Sequence, residues 1–361
     1  GLTLGGGLSF LSAQYGLVCD NVVNYEVVLA NASIVNANAS CNSDLFFALK
    51  GGGNQFGIIT SFTMKTYPIG TNGQVWGGVR TYSGTYAEQI INATQNFTEN
   101  YFQHPKAAVI VTGEIAIDNL LDIFVVFFFY DGETPPAGIF DAFDALPTVT
   151  DAAKTQTYSD LLNADDTTNI YGLRYLIRGT TIPNLPAPTG KTLFLNHYNS
   201  WKSYVLSNNA LHPSFIFSLA FQPMPAIIPA HSAAAGGNAL GMDARNGDFM
   251  WMEYDISWLT ELGDDEAHST AMNITATIKE QVAAEYGGKG LVNTNWAEGG
   301  ATIGEGDGKG GENLYFFNDA MYDQETLQSY GDGNYDTLKA VQRAVDPEGL
   351  FYGRTGGFKF T

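Results

Sequence analysis

Apolar residues alternate with polar ones, and glycine interrupts the alternation at defined points. Residues 22–30 (VVNYEVVLA) are strand-like, Asn31-Ala32-Ser33 supplies turn residues and Ile34-Val35 resumes, so a hairpin is predicted. Asn42 or Ser43 can cap a short helix, DLFFALK, that ends at the glycines 51–53. Residues 56–68 then read as a strand stopped by Pro68. A helix is predicted over 84–103, and two strands, 107–117 and 120–130, pair antiparallel with Asp118-Asn119 at their turn. Further helices are predicted near 137–145, 156–163 and 197–207, and a long one over 264–286. Segments 131–136, 182–190 and 286–311, rich in Gly and Pro, read as loops.

Two strands, 214–222 (SFIFSLAFQ) and 249–258 (FMWMEYDISW), carry the most information. With a period of two, Phe215, Phe217, Leu219 and Phe221 share one face, and Ser214, Ser218, Ala220 and Gln222 the other. In the second strand Met250, Met252, Tyr254 and Ile256 oppose Trp251, Glu253 and Asp255. The apolar faces call for a layer of helices. The mixed faces meet water or line a cavity, and Trp251 beside Glu253 favours the cavity.

Composition narrows the class. A chain of 361 residues suits one large or two medium domains, and 45% hydrophobic content supports a sizeable core. A net charge of -20 repels phosphate backbones and anionic lipid, so no nucleic acid and no membrane is expected as partner. The longest apolar run, 123–130, falls far short of the ~20 residues that span a bilayer. Cys19 and Cys41 exclude a disulfide framework and a four-cysteine zinc site, and leave one disulfide open. No His/carboxylate set stands at metal spacing, so no metal is expected. Sequons at Asn31, Asn38, Asn92, Asn96 and Asn273, with few basic residues, suggest a secreted protein. The chain begins at Gly1 without a charged and apolar leader, which suggests processing or a piece of a longer chain.

Two glycine stretches remain, GLTLGGGLSF at the start and LKGGGNQFGIIT at 49–60. Neither is a dinucleotide fingerprint, which sits between a strand and a helix, and the P-loop pattern is absent. This disfavours a nicotinamide-dependent dehydrogenase. Each stretch alone reads as a tight turn or a ligand cradle. Two of them flanking one hairpin-and-helix unit suggest a shared purpose.

The first 70 residues, with Y-G-L-V-C-D-N-V-V and D-L-F-F-A-L-K-G-G-G-N-Q-F-G-I-I-T-S-F, resemble the second half of the FAD-binding domain of vanillyl-alcohol-oxidase (PCMH-type) flavoproteins, in the berberine-bridge-enzyme-like branch with its fungal members. F-F-N-D-A at 316–320, D-P-E-G-L-F at 346–351 and the terminal G-G-F-K resemble that branch's closing segment, and 236–241 (GGNALG) is similar to a stretch of its fungal members. The resemblance implies an α+β fold: part of an FAD-binding domain over 1–75, a substrate domain over 76–311 with an antiparallel sheet covered by helices on one face, and a segment 312–361 returning to the FAD domain. It implies FAD as cofactor, with Gly5, Gly6, Gly7, Ser9, Gly16, Gly53, Asn54, Phe56, Gly57 and Ile58 along the nucleotide, Asp20, Asn21 and Val22 on the adenosine side, and Asn318 near the flavin. Glycines there would let backbone N–H groups reach the diphosphate.

The implied reaction is hydride transfer from an alcohol or amine carbon to flavin N5, with O2 as acceptor and hydrogen peroxide as product. A sugar, an alkaloid-like amine and a phenolic alcohol all remain open as the small-molecule substrate. Sugar-oxidising members place a Tyr base after the Asn of the closing motif, where this chain has Asp319. Asp319 and Glu253 are therefore the candidate bases, with Gln222 beside Glu253 and with Tyr315 and Tyr322 as neighbouring alternatives. The family has a first subdomain with an R-S-G-G-H motif, and none of His104, His197, His212, His231 and His268 lies in one. The chain is expected to be an N-terminally truncated form that binds flavin weakly, and Cys19 a buried core thiol. The competing expectation is a non-catalytic secreted carbohydrate-binding or structural protein on the same fold.

Overall fold

The computed structural model describes residues 1–116, 120–165, 170–208, 215–286, 292–293, 301–302 and 314–360. The expected turn at Asp118-Asn119, Ser214, His212 and most of the loop 286–311 lie outside them. The first elements are α1 (Ser12–Tyr15), β1 (Val22–Val28), β2 (Ile34–Ala37), α2 (Ser43–Leu49) and β3 (Ile58–Met64). There follow β4 (Gln74–Ser83), α3 (Ala87–Asn100), β5 (Ala107–Ala116), β6 (Leu121–Tyr130), α4 (Asp141–Asp144), β7 (Thr148–Asp151), β8 (Lys154–Thr157) and α5 (Tyr158–Asp165). The rest are β9 (Arg174–Pro183), α6 (Thr189–Asn208), β10 (Ile216–Met224), α7 (Ile227–Ala234), β11 (Phe249–Trp258), α8 (Asp264–Tyr286), β12 (Val292–Asn293), β13 (Ala301–Thr302), α9 (Asp332–Val345) and α10 (Leu350–Arg354).

These elements fall into two compact units. Unit 1 takes Gly1–Tyr67, Ala226–Asn246 and the described C-terminal segment 314–360; unit 2 takes Pro68–Pro225 and the described part of 247–305. The sequence reading placed 226–246 in the middle domain, whereas the structure puts α7 on α1 in unit 1. Unit 1 holds a three-stranded antiparallel sheet in the order β2-β1-β3, with the predicted hairpin in register at Val28↔Ile34. Tyr25 of β1 is fully buried, its ring against Phe46 and Phe62.

Unit 2 is built on an antiparallel sheet in the order β7-β4-β6-β5-β10-β11-β9, with β8 also pairing with β4. The α+β class is as expected; α3, α6 and α8 lie against one face of this sheet, and α5 lies on the other at the β4–β6 end, where Tyr158 meets Phe129. Phe217, Leu219, Phe221, Met250, Met252, Tyr254 and Ile256 are buried, as their shared faces predict. Helices α3, α6 and α8 contact these strands, with Phe194 of α6 against Phe221. His197 of α6 hydrogen-bonds the Tyr254 hydroxyl, and burial lowers its pKa to about 3, so the imidazole is neutral in the core.

Several elements, β4, β7, β8, β9, α7, α9 and α10, escaped the sequence reading, and α6 starts earlier than its expected 197. Strand β9 (RYLIRGTTIP) carries Arg174 and Arg178 where alternation asks for apolar residues; it lies at the sheet's edge, where such residues are tolerated. Helix α6 begins at Thr189, inside the expected loop 182–190, because Pro186 and Pro188 precede it and serve as acceptors for its first N–H groups. No helix among the described residues is long and apolar enough to cross a membrane.

Candidate functional site

The two glycine stretches meet in unit 1. The Gly53 N–H donates to the Leu4 carbonyl at 3.0 Å, so the second bend is tied to the first. Their amides differ in what they do. In the first stretch Gly5 N–H donates to Gly1 and Leu2 carbonyls, Gly6 N–H to Thr3, and Gly7 N–H to Asn318 Oδ1 at 3.1 Å. Asn318 Nδ2 returns a bond to the Leu2 carbonyl at 3.3 Å. Asn318 thus clamps the first bend from the C-terminal segment. A Cβ on Gly5 would stand 2.6 Å from Asn318 Nδ2 and 2.8 Å from the Phe317 ring. The first bend is glycine because protein side chains pack onto it, a different reason from the exposed amides expected there.

The second bend keeps its donors. Gly53, at φ +83°, turns the chain beneath the Phe317 ring. Beyond it, the N–H groups of Asn54, Gln55 and Phe56 carry no hydrogen bond among the described residues. The Gln55 side chain is 1% exposed, yet neither its Oε1 nor its Nε2 has a partner. Leaving buried amide atoms unpaired costs ~1–3 kcal/mol, so such a group marks a missing partner. Asn54 and Ile58 are exposed, Phe56 is buried with its ring edge-on to Phe360, and Gly57 lies against Val27.

The residues expected on the adenosine side are engaged within the protein. Asp20 is 2% exposed and accepts from Leu17 N–H (2.9 Å), Asn238 Nδ2 (3.0 Å) and the Ser232 hydroxyl. Lys50 Nζ lies 3.6 Å from it and donates to the Gly237 carbonyl. This buried ion pair fastens α7 and the 237–238 turn to the segment after Gly16, which sits against the Asp20 carboxylate. Asn21 donates to Tyr15 and Leu17 carbonyls and accepts from the Tyr67 hydroxyl, while Tyr67 stacks on Tyr15. Ser9 closes a local turn with Ser12 and Leu11, and Val22 is a buried residue of β1. Cys19 is buried and free, its thiol pushed up by burial and then by Asp20; Cys41 is exposed and free, so the two form no disulfide.

In unit 2 the face of the sheet opposite α3, α6 and α8 gathers the remaining candidates. Register places Gln222 opposite Trp251, Ala220 opposite Glu253 and Ser218 opposite Asp255. Gln222 Nε2 donates to Glu253 Oε1; Gln222 and Trp251 are buried although no helix of the sequence pattern claims them. The sequence reading missed Glu114. Its strand β5 lies on the other side of β10, and Glu114 stands opposite Ser218, in one row with Asp255. Only the register brings Glu114 onto this face. Desolvation raises its pKa above the ordinary glutamate value. No Lys or Arg of β5, β6, β10, β11 or β9 shares this face, since Arg178 alternates to the other side and bonds Thr275 of α8. Among the described residues no three of His, Cys, Asp and Glu converge as metal ligands. Asp319 belongs to unit 1, in a short helical turn whose N–H donates to the Phe316 carbonyl; Tyr315 is half-buried and Tyr322 exposed.

No family model matches the chain. An uncharacterized FAD-linked oxidoreductase of Arthroderma benhamiae is 33% identical over 360 residues, 99% of this chain and 67% of that protein. The FAD-dependent monooxygenase drtC of Aspergillus calidoustus is 26% identical over 367 residues, with 63% of its length matched. The chain thus spans about two thirds of the length of these curated relatives. Among solved structures, 6-hydroxy-D-nicotine oxidase of Arthrobacter nicotinovorans superposes with a TM-score of 0.70 at 18% identity, over 97% of this chain and 69% of that one. A G164A variant of berberine bridge enzyme gives 0.61 at 16% identity, over 97% and 68%. With joined glycine bends, a clamp from the closing segment and a 33% identical relative that covers 99% of this chain, the chain belongs to the FAD-linked oxidoreductases, on the vanillyl-alcohol-oxidase fold shared with berberine-bridge-enzyme-like flavoproteins.

Proposed function

We propose that this protein is a flavin-dependent oxidase that binds FAD at the second glycine bend and handles its substrate on the face of the large sheet opposite α3, α6 and α8. The observation that carries the first half is the run of unengaged donors at Asn54, Gln55 and Phe56 with the orphaned, buried Gln55 amide. Successive N–H groups at a bend suit an anionic group, and they explain how a chain of net charge -20 would hold a dinucleotide. Gly53 and Gly57 give this bend its path, and Asn318 steadies it indirectly through the first bend. When bound, the flavin supplies the hydride acceptor and, with O2, the route to hydrogen peroxide.

The chain's own part is to orient the substrate and take its proton. Glu253 receives a hydrogen bond from Gln222, which fixes the carboxylate for proton acceptance. Glu114, raised by desolvation, holds its proton to higher pH and complements it as a donor. Trp251, buried opposite Gln222, backs the pair. The absence of basic side chains on this face of β5, β6, β10, β11 and β9 favours a neutral alcohol or a cationic amine over an anionic substrate. Asp319, at the position of the sugar oxidases' Tyr, is the competing base. We further propose a secreted protein, on its sequons and its scarcity of Lys and Arg.

Flavin fluorescence titration of the protein tests the first half: saturable FAD binding is expected, weakened in Gln55→Leu. Peroxide release against sugars, amines and phenolic alcohols tests the second. Turnover that survives both Glu253→Gln and Asp319→Asn removes the assignment of the base. FAD binding without peroxide from any of them favours the non-catalytic alternative.

A further inference from the structure

The helix α3 carries a sequon, Asn96-Phe97-Thr98, that the flavin chemistry leaves unexplained. Asn96 is exposed. It borders a cavity of about 230 Å³ in unit 2, between the end of α3 and residues 138–139. That volume lies below the ~300–1,000 Å³ of sites for drug-sized ligands and admits one ring. Phe97, Tyr101 and Ile139 give it an apolar floor; Asn100, Gln103 and His104 give it a polar rim. Asn100 Nδ2 donates to the Asn96 carbonyl at 2.9 Å and reaches its Oδ1 at 3.4 Å, and Gln103 Nε2 donates to Asn100 Oδ1 at 3.1 Å. This chain of amides leaves Asn96 Nδ2 without a partner among the described residues. Tyr101 is 5% exposed and lines the cavity. An aromatic floor, a hydrogen-bonding rim of amides and the Tyr101 hydroxyl at its edge suit a sugar ring.

We propose that Asn96 is an N-glycosylation site whose first N-acetylhexosamine ring seats in this cavity. In the modifying step the Asn96 Nδ2–C1 bond forms as the C1–O bond to a lipid-linked sugar diphosphate breaks. The amide loses one proton and the diphosphate leaves. The step precedes folding of α3, because in the folded chain the Thr98 hydroxyl is buried and donates to the Thr94 carbonyl at 2.8 Å. Two of the other sequons are arranged differently: Asn38 Nδ2 is held by Asn24 Oδ1 at 2.9 Å, and Asn31 Oδ1 closes a turn with Ser33.

The inference rests on the reading of a secreted protein, and the test separates the two. The protein is routed through a yeast secretory pathway by a host signal sequence, and its glycopeptides are mapped by mass spectrometry. A hexosamine is expected on Asn96. Peptide-N-glycosidase should release it from the native protein ~10-fold more slowly than from the unfolded one, since the seated ring is reached only by local opening. Tyr101→Phe, which keeps the aromatic ring and removes the hydroxyl, should restore faster native release. An unmodified Asn96 in the routed protein, or equal release from native and unfolded protein, overturns the proposal. Absence of the protein from its own producer's medium overturns only the reading of secretion.

Discussion

The two glycine bends share a Gly-Gly-Gly motif and have opposite fates. At the first, each glycine amide already has an acceptor inside the protein, and Phe317 and Asn318 pack where a Cβ would stand. At the second, Gly53 ties to the first bend, and the three amides beyond it are unengaged. The same composition therefore serves as a hinge for packing in one place and as a binding edge in the other. What separates them is the fate of the N–H groups, because a donor already satisfied by its own chain offers little to a ligand. The contrast extends outward. Around the first bend the Asp20–Lys50 pair is buried and saturated, whereas on the open face of the large sheet Glu114 is desolvated with no compensating charge.

Four substitutions would break or sharpen this contrast. Asp20→Ala removes one partner of a buried ion pair and strands Lys50, so it should cost about 3–5 kcal/mol of stability, read by denaturant unfolding. If the loss is under ~1 kcal/mol, the network is not the scaffold of the first bend. Gly5→Ala forces Phe317 and Asn318 to move and should cost about 1–3 kcal/mol, with FAD affinity falling only as far as folding does. A selective loss of FAD binding in a fully stable Gly5→Ala protein would reverse the roles of the two bends.

Gln55→Leu should do the converse. It replaces an unpaired buried amide by an apolar group, so the flavin-free protein should keep or gain stability, while FAD affinity drops about tenfold, ~1.4 kcal/mol. Calorimetry of unfolding beside a flavin titration reads both. The smallest effect concerns Glu114. Its folded pKa is raised above the unfolded value, so the folded state binds the extra proton and stability declines as pH rises through the window between the two values. Glu114→Gln should remove that decline and leave the stability curve flatter above the ordinary glutamate range. An unchanged pH slope in the variant would show that Glu114 is well solvated.

Much of this was legible in the pattern of residues. The hairpin at Val28↔Ile34, the apolar faces of β10 and β11, and the long β5–β6 pair follow from alternation and turn residues, because local sterics set them. Strand β9 was hidden because its polar residues sit at an edge, and α7 because a short apolar run with Pro229 reads equally as loop. In the site, the sequence pointed to both bends and to Gln222 and Glu253 on one face. It could not separate donors that are satisfied from donors that are not.

By itself, then, the sequence determined the α+β class, the membership of a flavoprotein family, the position of two bends without side chains, and the sides on which β10 and β11 bury their apolar residues. These depend on neighbours a few positions apart. The tertiary structure alone decided that Asn318 reaches back 311 positions to Gly7, that Ser232 and Asn238 satisfy Asp20, and that Glu114 joins the row of Asp255. Hydrogen-bond satisfaction and strand register are relations between distant segments, and a linear pattern does not encode which segment arrives.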